Sequence, residues 1–486
     1  MTRKLKILIA ASEGHPYSKT GGLADVVGTL PLALQAKNHD VRVILPKHQC
    51  ALNHKLEIHP LDREFSVPIG STQREGTLYE GNLSGRVPVY LVENDFYFKR
   101  AGIYGAKGTD FPDNAERFIF FCRAILESCK ALSFFPDIIH LNDWHTGLVP
   151  VYLKTLYNQD KRLSAARTVF TIHNLAYQGN FEAKTLDLTG LPKQLFAPEG
   201  LEFYGQLSFL KAGLVYADRL NTVSPTYSRE IRTKDLGCGM DGLLKNREND
   251  LHGILNGIDY DEWNPETDSQ IVTQYSPRKL MGKLDCKRYL AENFSLDIEN
   301  TTPILGMVTR LANQKGIDLV MESLESIMKL DVAFVLLGTG DPDHEIFFKK
   351  AARNFRGRCG IRIEFDPGLS HQIVAGSDVL MVPSSYEPCG LTQMFALKYG
   401  TVPLVRAVGG LHDTVNEFRP GTGKGTGFKF RKYQKKDLLQ SVRKALSCYR
   451  NPTAWKQLMQ NAMAENFGWE QAAGKYLRMY RKTLRS

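Results

Sequence analysis

The sequence predicts an α/β protein built on two doubly wound, mostly parallel sheets. Apolar runs of strand type alternate with helical segments through both halves of the chain. The alternation stops once, at residues 260–278, where Pro265 and Pro277 interrupt a stretch of little periodicity, and then it restarts. Because 486 residues are too many for a single core, two or three domains are expected.

Composition and charge argue against several functional classes. The apolar fraction of 43% is typical of a soluble globular protein. The formal net charge of +10 favours anionic ligands only weakly, and no arginine-rich block of the kind that nucleic-acid binders carry is present. No segment approaches the ~18 apolar residues of a membrane span. We therefore expect neither a nucleic-acid partner nor a membrane partner.

The cysteines and the N-terminus indicate a reducing compartment. Eight cysteines are scattered along the chain, and none forms a CxxC pair or has zinc-ligand spacing. The early apolar run, Ile7–Ala11, is too short for the core of a signal peptide. We expect a cytoplasmic protein that holds no metal.

The first half of the chain begins a doubly wound sheet. Its predicted elements are a strand at Lys6–Ala11, a helix at Leu23–Gln35, a strand at Val41–Leu45, a β-rich insertion at Leu56–Tyr90, a helix at Ala115–Leu132, and strands at Pro136–Leu141, Thr168–Ile172 and Ala217–Val223. Ligands of such sheets bind outside the carboxyl ends of the strands. The loops that follow these strands are therefore the places to look for function.

The loop after the first strand offers a cation and flexible backbone at a helix start. Lys19 is followed by Gly21 and Gly22, an arrangement suited to a phosphate, although the dinucleotide fingerprint G-x-G-x-x-G is absent. The alternatives are equally simple. Lys19 could be a solvated loop cation, and Asp25, in the first helical turn, could merely complement the helix dipole.

Polar residues also follow two later strands of the first half. Asp143 and Trp144 come after Pro136–Leu141, and His173 comes after Thr168–Ile172. A single histidine at a strand end is more often structural, but several polar strand ends in one sheet indicate a site. Tyr97 lies in a stretch of aromatic and basic residues that look exposed.

The second half repeats the pattern of strands and helices. Strands are predicted at Pro303–Val308, Val332–Leu337, Arg362–Phe365, Val379–Val382 and Val402–Val405, and the chain looks helical from Lys436 to Ser486. After the first of these strands, Arg310 and Lys315 lie in one turn before a helix. Two cations there suit a diphosphate and could neutralise a leaving group, but they could also be a surface salt-bridge pair.

The stretch Val379–Gly400 combines a strand, a polar turn and a helix predicted at Leu391–Tyr399. The helix start favours phosphate binding through its unpaired N–H groups. Glu387 lies in the turn, where a carboxylate is better suited to sugar hydroxyls or to positive charge developing on a sugar carbon. The alternative is that Glu387 caps the helix.

Taken together, six motifs resemble the bacterial glycogen synthase and plant starch synthase family: KTGGLADVVG, LNDWHTGL, TIHNLAYQG, NGID, TRLANQKG and SSYEPCGLTQMFALKYG. They occur in family order across almost the whole chain. The resemblance implies the GT-B architecture, in which two Rossmann-like domains face a cleft. It places an N-terminal catalytic and acceptor domain at 1–253, a nucleotide-sugar domain at 254–462, and a helix crossing back to the first domain at 463–486.

The resemblance also implies a reaction and a set of site residues. The reaction is transfer of glucose from ADP-glucose to the non-reducing end of an α-1,4-glucan, with the α configuration retained and without a cofactor or metal. The implied catalytic residues are Glu387, His173, Asp143, Lys315 and Arg310. The implied substrate-binding residues are Lys19, Gly21, Gly22, Asp25, Tyr97, Trp144, Asn256, Cys389, Gly390, Leu391 and Thr392.

The residue types agree with that chemistry. A glucosyl transition state carries oxocarbenium charge while the leaving ADP gains negative charge, which Arg310 and Lys315 could stabilise. No second carboxylate is placed for a double displacement, so a front-face route is preferred, in which the phosphate helps to deprotonate the acceptor. Phe395 stands where many related glycosyltransferases carry a second glutamate, so the ribose ligand stays unassigned.

Two other functions compete with this one. The first is a retaining transferase of the same fold that uses UDP-glucose or a small acceptor. The second is a catalytically silent glucan-binding scaffold. The KTGGLADV loop favours ADP-glucose, and retention of Arg310, Lys315 and Glu387 argues against a scaffold. The lack of a transit peptide or a long N-terminal extension favours a bacterial enzyme.

Overall fold

The structure is a computed structural model that describes residues 3–52, 56–106 and 108–485. Its contacts divide the chain into two compact units. The first unit comprises Met1–Val223, Ser228–Gly257 and Trp469–Ser486, and the second comprises Ser224–Tyr227 and Ile258–Gly468. Each unit is built on a parallel sheet with helices, so the predicted α/β class with two doubly wound sheets is confirmed.

The elements up to residue 257 alternate between strands and helices. They are β1 (Lys6–Ala10), α1 (Gly22–Gln35), β2 (Asp40–Pro46), β3 (His59–Ile69), β4 (Thr72–Leu83), β5 (Val87–Glu93), α2 (Asp95–Phe98), β6 (Gly105–Ala106), β7 (Thr109–Asp110), α3 (Asn114–Ala131), β8 (Ile138–Asn142), α4 (Val149–Lys154), β9 (Arg167–Ile172), β10 (Asn180–Glu182), α5 (Leu186–Thr189), β11 (Glu202–Phe203), β12 (Gln206–Ser208), α6 (Phe209–Tyr216), β13 (Arg219–Thr222), α7 (Pro225–Glu230), α8 (Asp241–Asn246) and β14 (Leu251–Gly253).

The main sheet of the first unit has the order β14-β13-β9-β8-β1-β2-β5-β4-β3. Strands β14 to β5 run parallel, whereas β4 and β3 are antiparallel. The predicted β-rich insertion is therefore not separate from the sheet, because Val89 of β5 pairs with Val43 of β2. The chain order reverses between β1 and β8, which makes the carboxyl ends of these two strands the switch point of the sheet.

The last helix, α17 (Trp469–Thr483), belongs to the first unit. Its side chains Ala473, Tyr476 and Leu477 lie in the same buried cluster as Leu30 and Leu34 of α1. Two phenols on this helix also enter a buried polar network: Tyr480 OH lies 2.7 Å from His140 Nδ1, and Asn221 Nδ2 donates to Tyr476 OH at 3.2 Å. The C-terminal helix is thus part of the first core.

The second unit contains a regular alternation of strands and covering helices. Its elements are α9 (Met281–Asn293), β15 (Ile304–Val308), α10 (Ile317–Met328), β16 (Ala333–Leu337), α11 (Pro342–Asn354), β17 (Cys359–Arg362), α12 (Pro367–Gly376), β18 (Val379–Val382), α13 (Thr392–Lys398), β19 (Val402–Arg406), α14 (Gly409–Thr414), β20 (Phe428–Phe430), α15 (Lys435–Tyr449) and α16 (Pro452–Ala464). The sheet order is β17-β16-β15-β18-β19-β20, with every pair parallel. Its switch point lies between β15 and β18.

Several sequence-based predictions of elements were wrong in detail. The strand predicted at Arg362–Phe365 lies at Cys359–Arg362, and it contains Gly360, where an added Cβ would approach the Phe294 ring to 2.4 Å. Because a glycine stands where the strand would otherwise carry an apolar side chain, the run of apolar residues that predicts a strand is interrupted here. The short strands β14 and β20 were missed, and the C-terminal helical region is three helices. Among the described residues, no helix is long and apolar enough to cross a membrane.

Candidate active site

The predicted site residues follow the strands at the two switch points. In the second unit, Lys315 ends the loop after β15, and Glu387 lies in the turn after β18. In the first unit, Lys19 lies in the loop after β1, and Asp143 follows β8 directly. Adjacent strands whose connections leave in opposite directions open a crevice at their carboxyl ends, which is where ligands of such sheets bind.

Glu387 is buried and is held by an ion pair with the partly exposed Lys315 in the second unit. Its side chain is 7% exposed, and Lys315 Nζ lies 2.9 Å from Oε1 and 2.7 Å from Oε2. Ser384 Oγ donates to Oε2 at 2.9 Å. The two strands of the switch point thus bring together residues 72 positions apart. A lysine ammonium has three protons, so Lys315 keeps one for a further acceptor.

The same contacts decide two of the alternatives left open by the sequence. The carboxylate of Glu387 is bonded to Lys315 and Ser384, not to the start of α13, so the helix-capping interpretation was wrong. The surface salt-bridge interpretation was also wrong for Arg310, whereas Lys315 does form an ion pair, with Glu387. Arg310 is exposed and makes no side-chain hydrogen bond or ion pair with any residue that the structure describes.

Close backbone contacts hold the turn that carries Glu387. Gly410 N donates to the Glu387 carbonyl at 3.1 Å, and an added Cβ on Gly409 would lie 1.8 Å from that oxygen. An added Cβ on Gly316, which has φ +75°, would likewise lie 2.3 Å from the Pro383 carbonyl oxygen. Loops after β15, β18 and β19 are therefore packed backbone to backbone, a contact that only glycine permits here.

The helix start after this turn has a well-defined geometry. Gly390 has φ +70°, Leu391 occupies the N-cap position without a side-chain cap, and α13 begins at Thr392. Cys389 is buried. Gln393, which the sequence analysis did not single out, donates from Nε2 to the carbonyls of Cys389 at 3.1 Å and Gly390 at 2.9 Å. These two hydrogen bonds hold the turn before α13 in place.

In the first unit, Asp143 and His173 are directly connected. Asp143 is buried with φ +57°, and its Oδ1 accepts a hydrogen bond from His173 N at 2.8 Å. Burial raises the pKa of Asp143 to about 7, against the opposing effect of the backbone N–H groups of His173 and Asn174. This carboxyl therefore changes charge near neutral pH.

The protonation state of His173 follows from its neighbour Asn142. Asn142 Nδ2 donates to the Ala10 carbonyl at 3.0 Å, which assigns its Oδ1 to the contact of 2.9 Å with His173 Nε2. Nε2 must then carry the proton. Burial lowers the pKa of His173 to about 3, so the ring is neutral and Nδ1 is a hydrogen-bond acceptor. Asn142 was missed as a site residue, although it ends the strand before Asp143.

Lys19 and Asp25 form an ion pair at the start of α1. The Lys19 Nζ to Asp25 Oδ1 distance is 2.6 Å, and both side chains are partly exposed. Gly21 occupies the N-cap position and Gly22 begins the helix, without a side-chain cap. An added Cβ on Gly21 would have no described neighbour within 4 Å, so the backbone there is open to a ligand.

Three further predicted residues are more buried than expected. Trp144 is buried and packs on Gly179 and on the ring of Phe118. Asn256 is buried, and its Oδ1 has no partner among the described residues. Tyr97 was predicted among exposed residues, which was wrong. Its ring is completely buried, and its hydroxyl is bonded to Glu116 and Arg74, so it presents no surface to a sugar in this conformation.

Phe395 completes an aromatic stack. It lies parallel to Trp263 at 3.9 Å between ring centroids, and His371 covers the other face of Trp263 at 3.7 Å. This position therefore offers packing and no polar group for a ribose. Among the described residues, no group of three or more His, Cys, Asp or Glu side chains could hold a metal ion.

Comparisons with known proteins agree with this geometry. The family model described as "Starch synthase catalytic domain" matches residues 6–246, and "Glycosyl transferases group 1" matches residues 290–462. A glycogen synthase of Anaeromyxobacter sp. (strain Fw109-5) is 48% identical over 478 residues, which is 98% of this chain and 99% of the relative. A glycogen synthase of Thermosipho africanus is 44% identical over 486 residues, with 99% of each chain covered.

Two solved structures are also similar to this chain. The catalytic domain of starch synthase IV from Arabidopsis thaliana, bound to ADP and acarbose, has a TM-score of 0.93 and 33% identity, and both chains are fully covered. Sucrose-phosphate synthase from Thermosynechococcus elongatus has a TM-score of 0.62 and 18% identity over 99% of this chain, a likeness of fold alone.

Proposed function

Because the chain belongs to the glycogen and starch synthase family of glycosyltransferases, we propose that it moves glucose from ADP-glucose to the non-reducing end of an α-1,4-glucan. The α configuration is retained. The observation that carries the assignment is the partly buried contact between Lys315 and Glu387 at the switch point of the second sheet. A cation and a carboxylate in this position support the proposal, because ligands of such sheets bind at switch points.

The cations of the second unit act on the leaving group. As the bond to ADP breaks, negative charge grows on the diphosphate. Lys315 has one proton left for a phosphate oxygen, and Arg310 is exposed and unpaired among the described residues. The uncapped start of α13, behind Gly390, adds backbone donors. Together these groups supply the charge neutralisation that a divalent metal would otherwise give.

Glu387 acts on the glucose. A carboxylate that is already paired with Lys315 and Ser384 is held in one orientation, so it loses little entropy when it accepts hydrogen bonds from sugar hydroxyls. Its charge also favours the oxocarbenium character of the transition state. The acceptor hydroxyl is deprotonated on the same face as the leaving phosphate, which preserves the configuration.

The first unit supplies groups for hydroxyls and for the donor. Neutral His173 offers Nδ1 as an acceptor, and Asp143 positions the His173 backbone. Lys19, paired with Asp25 at the start of α1, can turn to a phosphate. Trp144 forms an apolar wall for a sugar ring. These roles rest on the family resemblance, and the geometry of each residue is compatible with them.

A comparison of two donors tests the proposal. Incorporation of labelled glucose into glycogen should show a far higher kcat/KM with ADP-glucose than with UDP-glucose. The variant Lys315→Met should lose activity, whereas Lys329→Met, which removes an exposed lysine paired with Glu325 in the same unit, should not. Equal or reversed donor rates would favour the competing function of a UDP-glucose transferase. We also propose a cytoplasmic location, in keeping with eight free cysteines.

A further inference from the structure

A buried carboxylate lies beneath the exposed loop that carries Lys19. Glu13 follows β1, is only 3% exposed, and has no cation at ion-pair distance among the described residues. Its Oε2 accepts hydrogen bonds from both Thr20 N and Thr20 Oγ1, the latter at 2.8 Å. Burying a carboxylate costs free energy unless hydrogen bonds satisfy its lone pairs, and the two bonds from Thr20 do this for Oε2.

The contacts of Glu13 lie in one short stretch of the loop, at Thr20 and the backbone of Gly21. The residues from Lys19 to Gly22 are all exposed, whereas Ser18 is buried and Gly14 N donates to its carbonyl at 3.1 Å. Thr20 is therefore the place where the exposed segment is attached to the core. Burial raises the pKa of Glu13 to about 7, and the hydrogen bonds from Thr20 oppose that rise, which means that they favour the ionised form.

We propose that Glu13 is a positioning residue for the donor diphosphate, and that it acts by holding Thr20 and thereby the backbone of Lys19 at the start of α1. The inference rests on the proposed function, which assigns Lys19 to the donor. A lysine side chain is long and flexible, so its ammonium reaches a phosphate reproducibly only if its backbone is fixed. Glu13 touches neither substrate; it acts through Thr20.

The same chain contains a matched control for this arrangement. Asp218 Oδ2 accepts hydrogen bonds from Thr168 N at 2.7 Å and Thr168 Oγ1 at 2.8 Å. This pair joins the amino ends of β9 and β13, whereas Lys19 lies in a loop at the carboxyl ends of the parallel strands. The exchange Asp218→Asn weakens a similar pair of hydrogen bonds, together with longer ion pairs to Lys154 and Arg167, and it leaves the loop of Lys19 untouched.

The experiment measures kcat and the KM for ADP-glucose, at saturating glycogen, together with the melting temperature. Glu13→Gln keeps an oxygen that can accept from Thr20 but removes the charge from both hydrogen bonds, so it should raise this KM about 10- to 100-fold, with kcat changed by less than about threefold. Thr20→Val, which removes only the hydroxyl, should raise it about fivefold. Asp218→Asn should lower the melting temperature and leave the KM unchanged.

A double variant separates the inference from its premise. If Glu13 acts through Lys19, Glu13→Gln should add nothing to the KM of Lys19→Ala. Full additivity, or a KM effect no larger than that of Asp218→Asn, would overturn the positioning role while the proposed function stands. Should Glu13→Gln fail to fold, the same cycle with Thr20→Val distinguishes additivity from its absence. Inactivity of the wild type with ADP-glucose, or an unchanged KM in Lys19→Ala, would overturn the assignment of Lys19 itself and the inference with it.

Discussion

The exchange Glu387→Gln tests the chemistry of the second unit most directly. Glutamine keeps the length of the side chain but removes the charge and replaces one oxygen by an NH₂ group. In the wild type both oxygens face Lys315 Nζ, at 2.9 and 2.7 Å. In the variant one of the two contacts is lost or becomes a contact between two donors. The variant therefore changes both catalysis and the local ion pair.

The two effects have different magnitudes. Loss of a positioned charge at a reacting centre should lower kcat by about 10²–10⁴. Loss of a buried, charge-assisted hydrogen bond should lower the free energy of unfolding by about 1–3 kcal/mol. For a domain of this size that corresponds to a melting temperature lower by roughly 2–12 °C. Altering a turn residue at a helix start, which is all that the sequence indicates here, would cost only about 1 kcal/mol.

Three measurements on purified protein distinguish the contributions. Steady-state assays with ADP-glucose and glycogen give kcat, calorimetry gives the affinity for ADP, and thermal unfolding gives the melting temperature. The matched variant Lys315→Met breaks the same ion pair, so it should share the loss of stability but should also weaken ADP binding, which Glu387→Gln should change little. Turnover close to that of the wild type in Glu387→Gln would refute the catalytic role of this carboxylate.

Further predictions follow from other contacts. Gly409→Ala should lower the melting temperature and kcat, since its Cβ would lie 1.8 Å from the Glu387 carbonyl oxygen, whereas Gly421→Ala, with open space around it, should behave as the wild type. If Arg310 and Lys315 neutralise the leaving group as we propose, activity should survive excess EDTA; loss with EDTA and rescue by Mg²⁺ would contradict this role. For Asp143 the pKa is raised to about 7 from 3.8, so the stability it contributes is present below pH 3.8 and is lost as pH rises to about 7. Calorimetric unfolding from pH 4 to 7 should therefore show Asp143→Asn gaining stability relative to the wild type as pH rises, and a constant difference would contradict the shift.

The sequence predicted the parts of the site that depend on local pattern. Strand ends are readable from apolar runs, and parallel strands must bring their carboxyl ends to one edge, so Lys19, Asp143, Lys315 and Glu387 could be placed in the loops after strands. The direct contact between Lys315 and Glu387 was not predicted, because it depends on which strands are neighbours. That order is a long-range property of the fold, and no local pattern records it.

The predictions that failed have the same cause. Tyr97 lies between aromatic and basic residues, which looks like an exposed surface, but its burial is decided by α3, where Phe120 packs on its ring at 5.2 Å and Glu116 accepts a hydrogen bond from its hydroxyl. Glu13 escaped notice because a charged residue after a strand usually faces water. Its hydrogen bonds to Thr20, seven positions later, depend on how the intervening loop folds back.

Both sheets have polar side chains in the loops after their strands, but the charges of these side chains differ between the two sheets. At the second switch point, a lysine and a glutamate carry full and opposite charges that are already paired, so they can respond to charge separation with little rearrangement. Beside the first, His173 at the end of the neighbouring strand β9 is neutral, and burial raises the pKa of Asp143 to about 7. Neutral acceptors bind hydroxyls without repelling a phosphate. Under the proposed function, Lys315 of the second unit would therefore respond to the charge that develops on the leaving group, and neutral His173 of the first unit would join Glu387 in accepting hydrogen bonds from sugar hydroxyls.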